Sequence, residues 1–170
     1  MKWQKKGIYI QMNIFYLDED PKTCAEAHCD KHVVKMILEY AQILSTAHRV
    51  IDFETSWHDS LYKKTHINHP STKWARETDK NYIWLHLLWV HLCQEYTHRY
   101  LKTHKTWSRL KDYLNKEPQN IISGGFSEPP QCMPIELKEK TSVLAYRNYY
   151  ITSKRSFASW KNRSIPSWFK

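Results

Sequence analysis

Between Pro21 and Arg49 the chain places His28, His32, Lys35, Glu39 and Gln42 at positions i, i+4, i+7, i+11 and i+14. On a helix this spacing lines the five side chains up along one ridge. His32, Lys35 and Glu39 are then neighbours. An imidazole, an ammonium and a carboxylate on one line can bind a phosphate and move a proton. A lysine near a second cation in a dry cleft can also lose its proton and act as a nucleophile. His32, Glu39 and Lys35 are therefore the catalytic candidates, with His28, Lys31 and Gln42 beside them as ligand contacts.

The run around this ridge predicts one long helix over Pro21 to Arg49, since neither Gly nor Pro interrupts it after Pro21. Asp18 and Asp20 precede it as acceptors for its first N–H groups, and Pro21 suits the first helical position. Val33, Met36, Ile37, Tyr40, Leu44 and Ala47 fall on one apolar face, and Val34, Leu38 and Ala41 on a second flank. A narrow polar ridge between two apolar flanks fits a helix packed on two sides with its ridge in a cleft. A solvated ridge with ordinary Glu–Lys pairing satisfies the same pattern.

A second group of candidates lies near the C-terminus. Tyr146, Arg147, Tyr149 and Tyr150 lead into Lys154, Arg155, Trp160, Lys161 and Arg163. Aromatics interleaved with cations can stack bases and neutralise phosphates, which makes Arg147, Tyr150 and Lys154 phosphate- or base-binding candidates. The alternative is that the aromatics are core and the charges solvated. His69, in Asn68-His69-Pro70, is a further candidate entering from another segment.

Cys24, His28 and His32 at i, i+4, i+8 raise a metal site, because zinc takes N and S ligands. Two helical turns separate the outer pair by about 12 Å of rise, so one ion needs outside ligands such as His66 or His69. Otherwise Cys24 and Cys29 are small buried hydrophobes. No metal or other cofactor enters the preferred reading.

Composition frames the partners. The chain has 170 residues, a formal charge of +9, 8 Trp, 11 Tyr and only 3 Gly. This size suits one domain, with residues 1–11 as an N-terminal extension if Met12 is the true start. The positive balance favours a polyanion, DNA first, or a nucleotide. Four dispersed cysteines without a CxxC pair, and no signal-peptide pattern, point to free thiols in the cytoplasm, the host's if a phage encodes the chain. The most apolar run, Tyr82 to Cys93, is too short to span a bilayer.

The remaining elements must position these groups. Gly7 to Leu17 reads as a short strand or an extended segment laid over the helices. A helix opens at Pro70 and runs to about Asp79. A third, near Lys80 to Lys102, is apolar almost all round early on and belongs at the centre of a bundle. A fourth covers Trp107 to Leu114, and a last runs from Thr141-Ser142 to about Trp160. Asp52 to His69 reads as a functional or disordered loop. Ile121 to Pro134 reads as a loop that presents Glu128 and Gln131 or simply connects. Trp168-Phe169 docks the tail on the body. The expected fold is an all-α helical bundle around the long first helix and a buried central helix.

Met12-Asn13-Ile14-Phe15, Asp30-Lys31-His32-Val33-Val34-Lys35, Asn68-His69-Pro70 with Trp74, and Cys93-Gln94-Glu95-Tyr96 together resemble a phage and bacterial helical family. More distantly they resemble proteins labelled pyrimidine dimer DNA glycosylase, of the phage endonuclease V type. The resemblance covers much of the chain from Met12 onward. It implies a small, basic, helical DNA-repair glycosylase with a lyase step. Its well-understood members use an N-terminal amine as nucleophile, a Glu, and flanking Arg residues on the first long helix. Lys31 and Lys35 fall where those basic residues lie, and His32 stands where the Glu would be. A start at Met12 would give Met-Asn, a poor sequence for Met removal. The fold and a nucleic-acid ligand carry over more directly than the reaction. Two other readings use the same residues: a non-catalytic nucleic-acid- or nucleotide-binding protein of the kind phages use against host defences, and a metal-dependent hydrolase built on the Cys24/His28/His32 group.

Overall fold

The computed structural model describes residues 12–170. Residues 7–11 of the expected strand, and the extension before them, lie outside the described residues. Residues 12–17 form no strand. They are an extended, fully buried segment threaded through the helices, which is the second of the two expectations for this stretch. Side chains take the place of a sheet at Phe15. Phe15 N–H donates to Tyr40 Oη (3.1 Å), and Cys24 Sγ donates to the Phe15 carbonyl (3.2 Å).

Six α-helices follow among the described residues, one more than the five expected because the first run divides in two, and the all-α class is as expected. Helix α1 is Pro21–Ala27, and α2 is Asp30–Ile51. Asp20 caps α1, accepting from Thr23 N–H at 2.8 Å, and Pro21 occupies the first turn. The expected continuous helix over Pro21 to Arg49 is therefore wrong in one respect: it breaks at His28 and Cys29, both with extended backbone. No local breaker causes this. Distant groups hold the break open: Cys29 N–H donates to Tyr150 Oη (3.3 Å) and Asp30 N–H to the Ser159 carbonyl (2.8 Å). Groups that ordinarily bond within the helix are satisfied from across the fold.

Helix α3 is Pro70–Ala75, shorter than expected, and α4 is Asp79–Tyr100. The Thr78 hydroxyl caps α4 by accepting from Asn81 N–H. Helix α4 is the central helix, packed on α1, α2 and α3. Leu85, Leu88, Trp89 and Leu92 are fully enclosed, and Trp89 Nε1 donates to the Ile37 carbonyl of α2 at 3.1 Å. Its outer stripe, which includes Leu87, still meets solvent. Helix α5 is Lys105–Leu114.

Helix α6 is Ser142–Tyr149 and passes directly into one π turn, Tyr150–Lys154, so the expected helix to Trp160 stops early. Beyond it, Trp160 Nε1 donates to the Ala27 carbonyl (2.9 Å), and Phe169 packs on the Trp160 ring at 4.7 Å. The tail docks as anticipated.

The two long loops are ordered by internal contacts. Arg49 donates to the carbonyls of His58, Leu61 and Tyr62, fixing the segment after α2. Gln131 bonds the Glu139 backbone in both directions, and Glu128 accepts from Ser142 N–H. These two side chains brace the loop, and Glu128 also borders a cavity with Lys73, Trp74 and Pro130.

Candidate functional site

His32 sits in the first turn of α2, where the break at Cys29 turns it inward. It is 6% exposed. The Phe15 ring stacks on it at 4.2 Å, with 25° between the planes. Its Nδ1 lies 2.5 Å from Tyr150 Oη. That hydroxyl already accepts the Cys29 N–H, and His32 Nδ1 is the acceptor in reach of its proton. The imidazole proton then belongs on Nε2, which makes no hydrogen bond among the described residues. Burial, then His28 and the ammonium groups of Lys154, Lys35 and Lys31, hold its pKa down at about 2. His32 is thus a neutral imidazole with a fixed tautomer, offering an N–H donor outward.

Three lysines surround it. Lys31 Nζ lies 4.5 Å over the Phe157 ring, whose centroid is 6.0 Å from that of His32. Lys154 Nζ lies 4.6 Å over the Tyr149 ring and 5.9 Å from Phe157. Lys35 is one turn on from Lys31, with 63% of its side chain exposed, and pairs with Glu39 Oε1 at 3.4 Å. The Glu39 side chain is only 14% exposed. Its second oxygen is buried without a partner among the described residues. Burial raises its pKa, and Lys35 only partly offsets that. Glu39 is therefore a carboxylate ready to accept a proton. Gln42, half-buried, extends the same line one turn further.

This is a site with three ammonium groups, one desolvated carboxylate and one imidazole donor, walled by Phe15, Tyr149, Tyr150 and Phe157. It can hold phosphate oxygens and exchange a proton beside them. The ridge of α2 is neither wholly in a cleft nor wholly solvated. His32 and Glu39 are enclosed, whereas Lys31 and Lys35, with Val34 and Leu38 of the supposed second flank, are exposed.

Other candidates fall elsewhere. The helix break takes His28 off the ridge. It is fully buried, donates from Nδ1 to the Cys24 carbonyl (2.7 Å), and accepts at Nε2 from Tyr40 Oη (2.8 Å). Burial lowers its pKa to about 4. His69 caps α3, its Nδ1 accepting from Ser71 N–H. Arg147 is a structural clamp: it donates to the Leu17 carbonyl at 2.8 Å and Asp18 at 3.1 Å, with its guanidinium over Trp168. It borders a separate 560 Å³ cavity with Asp18, Glu26, Arg163 and Trp168.

The metal reading loses its ligands, because both His28 nitrogens and His32 Nδ1 are committed. Among the described residues no group of three His, Cys, Asp or Glu side chains is placed to hold an ion.

Sequence reasoning found only part of the wall: Tyr150 was a candidate and Tyr149 stood in the same basic-aromatic run. Phe15 was visible only as part of a motif, and Phe157 gave no signal. The π turn, a form concentrated at functional sites, has no sequence mark.

Asp30 and Glu95, both in short motifs, turn out to hold the architecture. Fully buried Arg99 donates to Glu95 at 2.8 Å and Asp30 at 2.9 Å, and Arg163 donates to both Glu95 oxygens at 2.9 Å. Asp30 also accepts from Ser159 Oγ and Lys161 N–H. This network pins the tail against α2 and α4.

A family model described as pyrimidine dimer DNA glycosylase matches residues 12–109, more than half of the chain. No curated protein and no solved structure matches. The matched span contains Lys31, His32, Lys35 and Glu39, and ends before Tyr149, Tyr150 and Lys154.

Proposed function

The chain belongs to the pyrimidine dimer DNA glycosylase family, and on that premise we propose that it cleaves a glycosidic bond of a pyrimidine dimer in duplex DNA at the His32 face, the freed base staying joined to its dimer partner. The observation that carries this reading is the gathering of Lys31, Lys35 and Lys154 around a neutral imidazole beside the half-unpaired Glu39 carboxylate.

In this reading Lys31 and Lys35, both exposed, bind backbone phosphates and position the strand. The damaged nucleotide leaves the stack and lies against the aromatic wall. His32 Nε2–H donates to an oxygen that gains negative charge as the glycosidic bond breaks. Glu39 takes up the proton released at the reacting centre. Its burial raises its basicity, and its free oxygen needs no prior bond broken. The net positive charge of the chain, +9, draws it to DNA before any specific contact forms.

The test is incubation with duplex DNA carrying one thymine dimer and with the same duplex undamaged, measuring glycosidic-bond cleavage as abasic (alkali-labile) sites and strand breaks. Cleavage of the damaged duplex alone supports the reading. Binding to both without cleavage would instead make the chain a nucleic-acid-binding module.

A further inference from the structure

Leu101 closes α4 and is 88% exposed. Its backbone is left-handed, with φ at 56°. At a helix end that conformation ordinarily falls to Gly or Asn, because a Cβ crowds the following carbonyl. A large apolar side chain there is unfavourable twice, in backbone strain and in exposure to water. Exposed apolar residues are common on their own, and Phe53 and Ile135 are nearly as open. Neither of those has a positive φ. Both have acidic neighbours, Asp52 and Glu54 for Phe53 and Glu136 for Ile135.

The surroundings of Leu101 are cationic instead. Lys102 and Lys105 follow it, Lys161 Nζ lies 5.4 Å from the Tyr100 ring, and Lys31 stands in the first turn of α2. All four lysines are exposed, and among the described residues none has a carboxylate within ion-pair distance. The tip is also held firmly. Leu101 N–H donates to the Thr97 carbonyl at 2.8 Å, and Thr97 Oγ1 donates to the Lys102 carbonyl at 3.1 Å. His104 packs edge-on against Tyr96 at 4.9 Å and accepts the Thr106 N–H. Both flanks of the tip meet α2: Arg99 donates to Asp30 at 2.9 Å, and the Val34 backbone faces the His104 ring. Leu101 therefore stands beside the first turns of α2, which carry Lys31, His32 and Lys35.

We propose that Leu101 is a wedge that enters the base stack of bound duplex DNA next to the lesion, with Lys31, Lys102, Lys105 and Lys161 on the flanking phosphates. This rests on the reading above that damaged duplex binds the His32 face. An apolar tip among cations matches a stacked polyanion: the ammonium groups meet the backbone and the side chain meets the faces of the bases. An apolar protein surface in the same place would leave four ammonium groups unmatched. A damaged step costs least to open, so insertion favours the dimer. The anchored loop presents the side chain ready-made, and little order is lost as it enters. Leu101 acts by positioning: it holds the stack open while the damaged nucleotide leaves it, and it touches no reacting atom.

The test uses the full chain and duplex DNA with one thymine dimer and 2-aminopurine in the adjoining base pair, whose fluorescence rises when its stacking is lost. Binding of the wild-type chain should raise the fluorescence, and Leu101→Gly and Leu101→Asn should each lose most of that rise. Both substitutions suit a left-handed φ, so the melting temperature should stay close to wild type. Affinity should change by less than about tenfold, since the burial lost and the unstacking avoided are of similar size, and its salt slope should not move. A rise that persists in both variants overturns the wedge, and so does wild-type binding with no rise. If the wild-type chain still forms abasic sites on the dimer duplex, the glycosylase reading then stands without it. A melting temperature lowered in both variants assigns Leu101 to the fold and overturns the proposal. No binding of the wild-type chain to dimer duplex overturns both.

Discussion

Tyr150 Oη lies 2.5 Å from His32 Nδ1, joining residues 118 positions apart. The same hydroxyl accepts the backbone N–H of Cys29. One side chain therefore holds the break between α1 and α2 open and sets the tautomer of the imidazole that the break turns inward. Phe15, stacked on the other side, completes the clamp.

Tyr150→Phe keeps the ring and removes this hydrogen bond. It leaves His32 Nδ1 and Cys29 N–H without a partner, so it should cost about 1–3 kcal/mol of stability. His32 then no longer has a fixed tautomer. Glycosidic-bond cleavage should slow while DNA affinity stays near wild type, and nitrogen NMR of the ring should show the loss of the Nδ1 acceptor state. An unchanged ring spectrum would contradict the assignment.

Lys35→Met removes one exposed ammonium from the His32 face. One phosphate contact is lost, and the salt dependence of DNA binding should flatten by about one charge. An unchanged salt slope would contradict a phosphate-binding role for Lys35.

How much of this was legible beforehand differs between the two halves of the site. His32, Lys35 and Glu39 were readable from helical spacing, because they lie on one uninterrupted helix. Their relation to Tyr150 and Lys154 was not, because it depends on how α6 and its π turn meet α2. Arg147, a DNA-contact candidate from its basic-aromatic run, is bonded to the Leu17 carbonyl and Asp18, and His69, a ligand candidate, caps α3; the partners of Arg147 were not readable from local sequence. The break at His28 carries no Gly or Pro to announce it. The starts of α1, α4 and α6 were legible for the opposite reason, since Asp20, Thr78 and Thr141 act on their own next turn.

Arg99→Ala tests the tail clamp. Arg99 is wholly enclosed and bridges Glu95, Asp30 and the Glu26 carbonyl. Its removal leaves buried carboxylate oxygens underpaired and should destabilise the fold by about 3–5 kcal/mol, measured as a lower denaturant midpoint. Loss of less than about 1 kcal/mol would show that Arg163 alone satisfies Glu95.

Stability should fall in mild acid. His28 and His48, both pushed by burial down to about 4, and His32, held at about 2, are neutral when folded. Unfolded, each takes up a proton near 6.5. Acid therefore favours the unfolded chain, by up to about 1.4 kcal/mol per pH unit for each group as pH falls from 6.5 towards 4. Glu95 adds to the loss lower down. Burial works against its charge, but Arg163 and Arg99 outweigh that and depress its pKa, so its contribution is present above 4.5 and disappears as pH falls through its folded value. Denaturant midpoints between pH 7 and pH 4 should show the slope, and His28→Gln should make it shallower by one group.

The central claim is that chemistry occurs on the His32 face, and Glu39→Gln tests it most directly. The substitution keeps the shape and removes the proton acceptor. Glycosidic-bond cleavage of dimer-containing duplex should slow by about 10²–10⁴, with DNA affinity and thermal stability close to wild type. A Glu39→Gln enzyme that forms abasic sites at the wild-type rate would contradict the account.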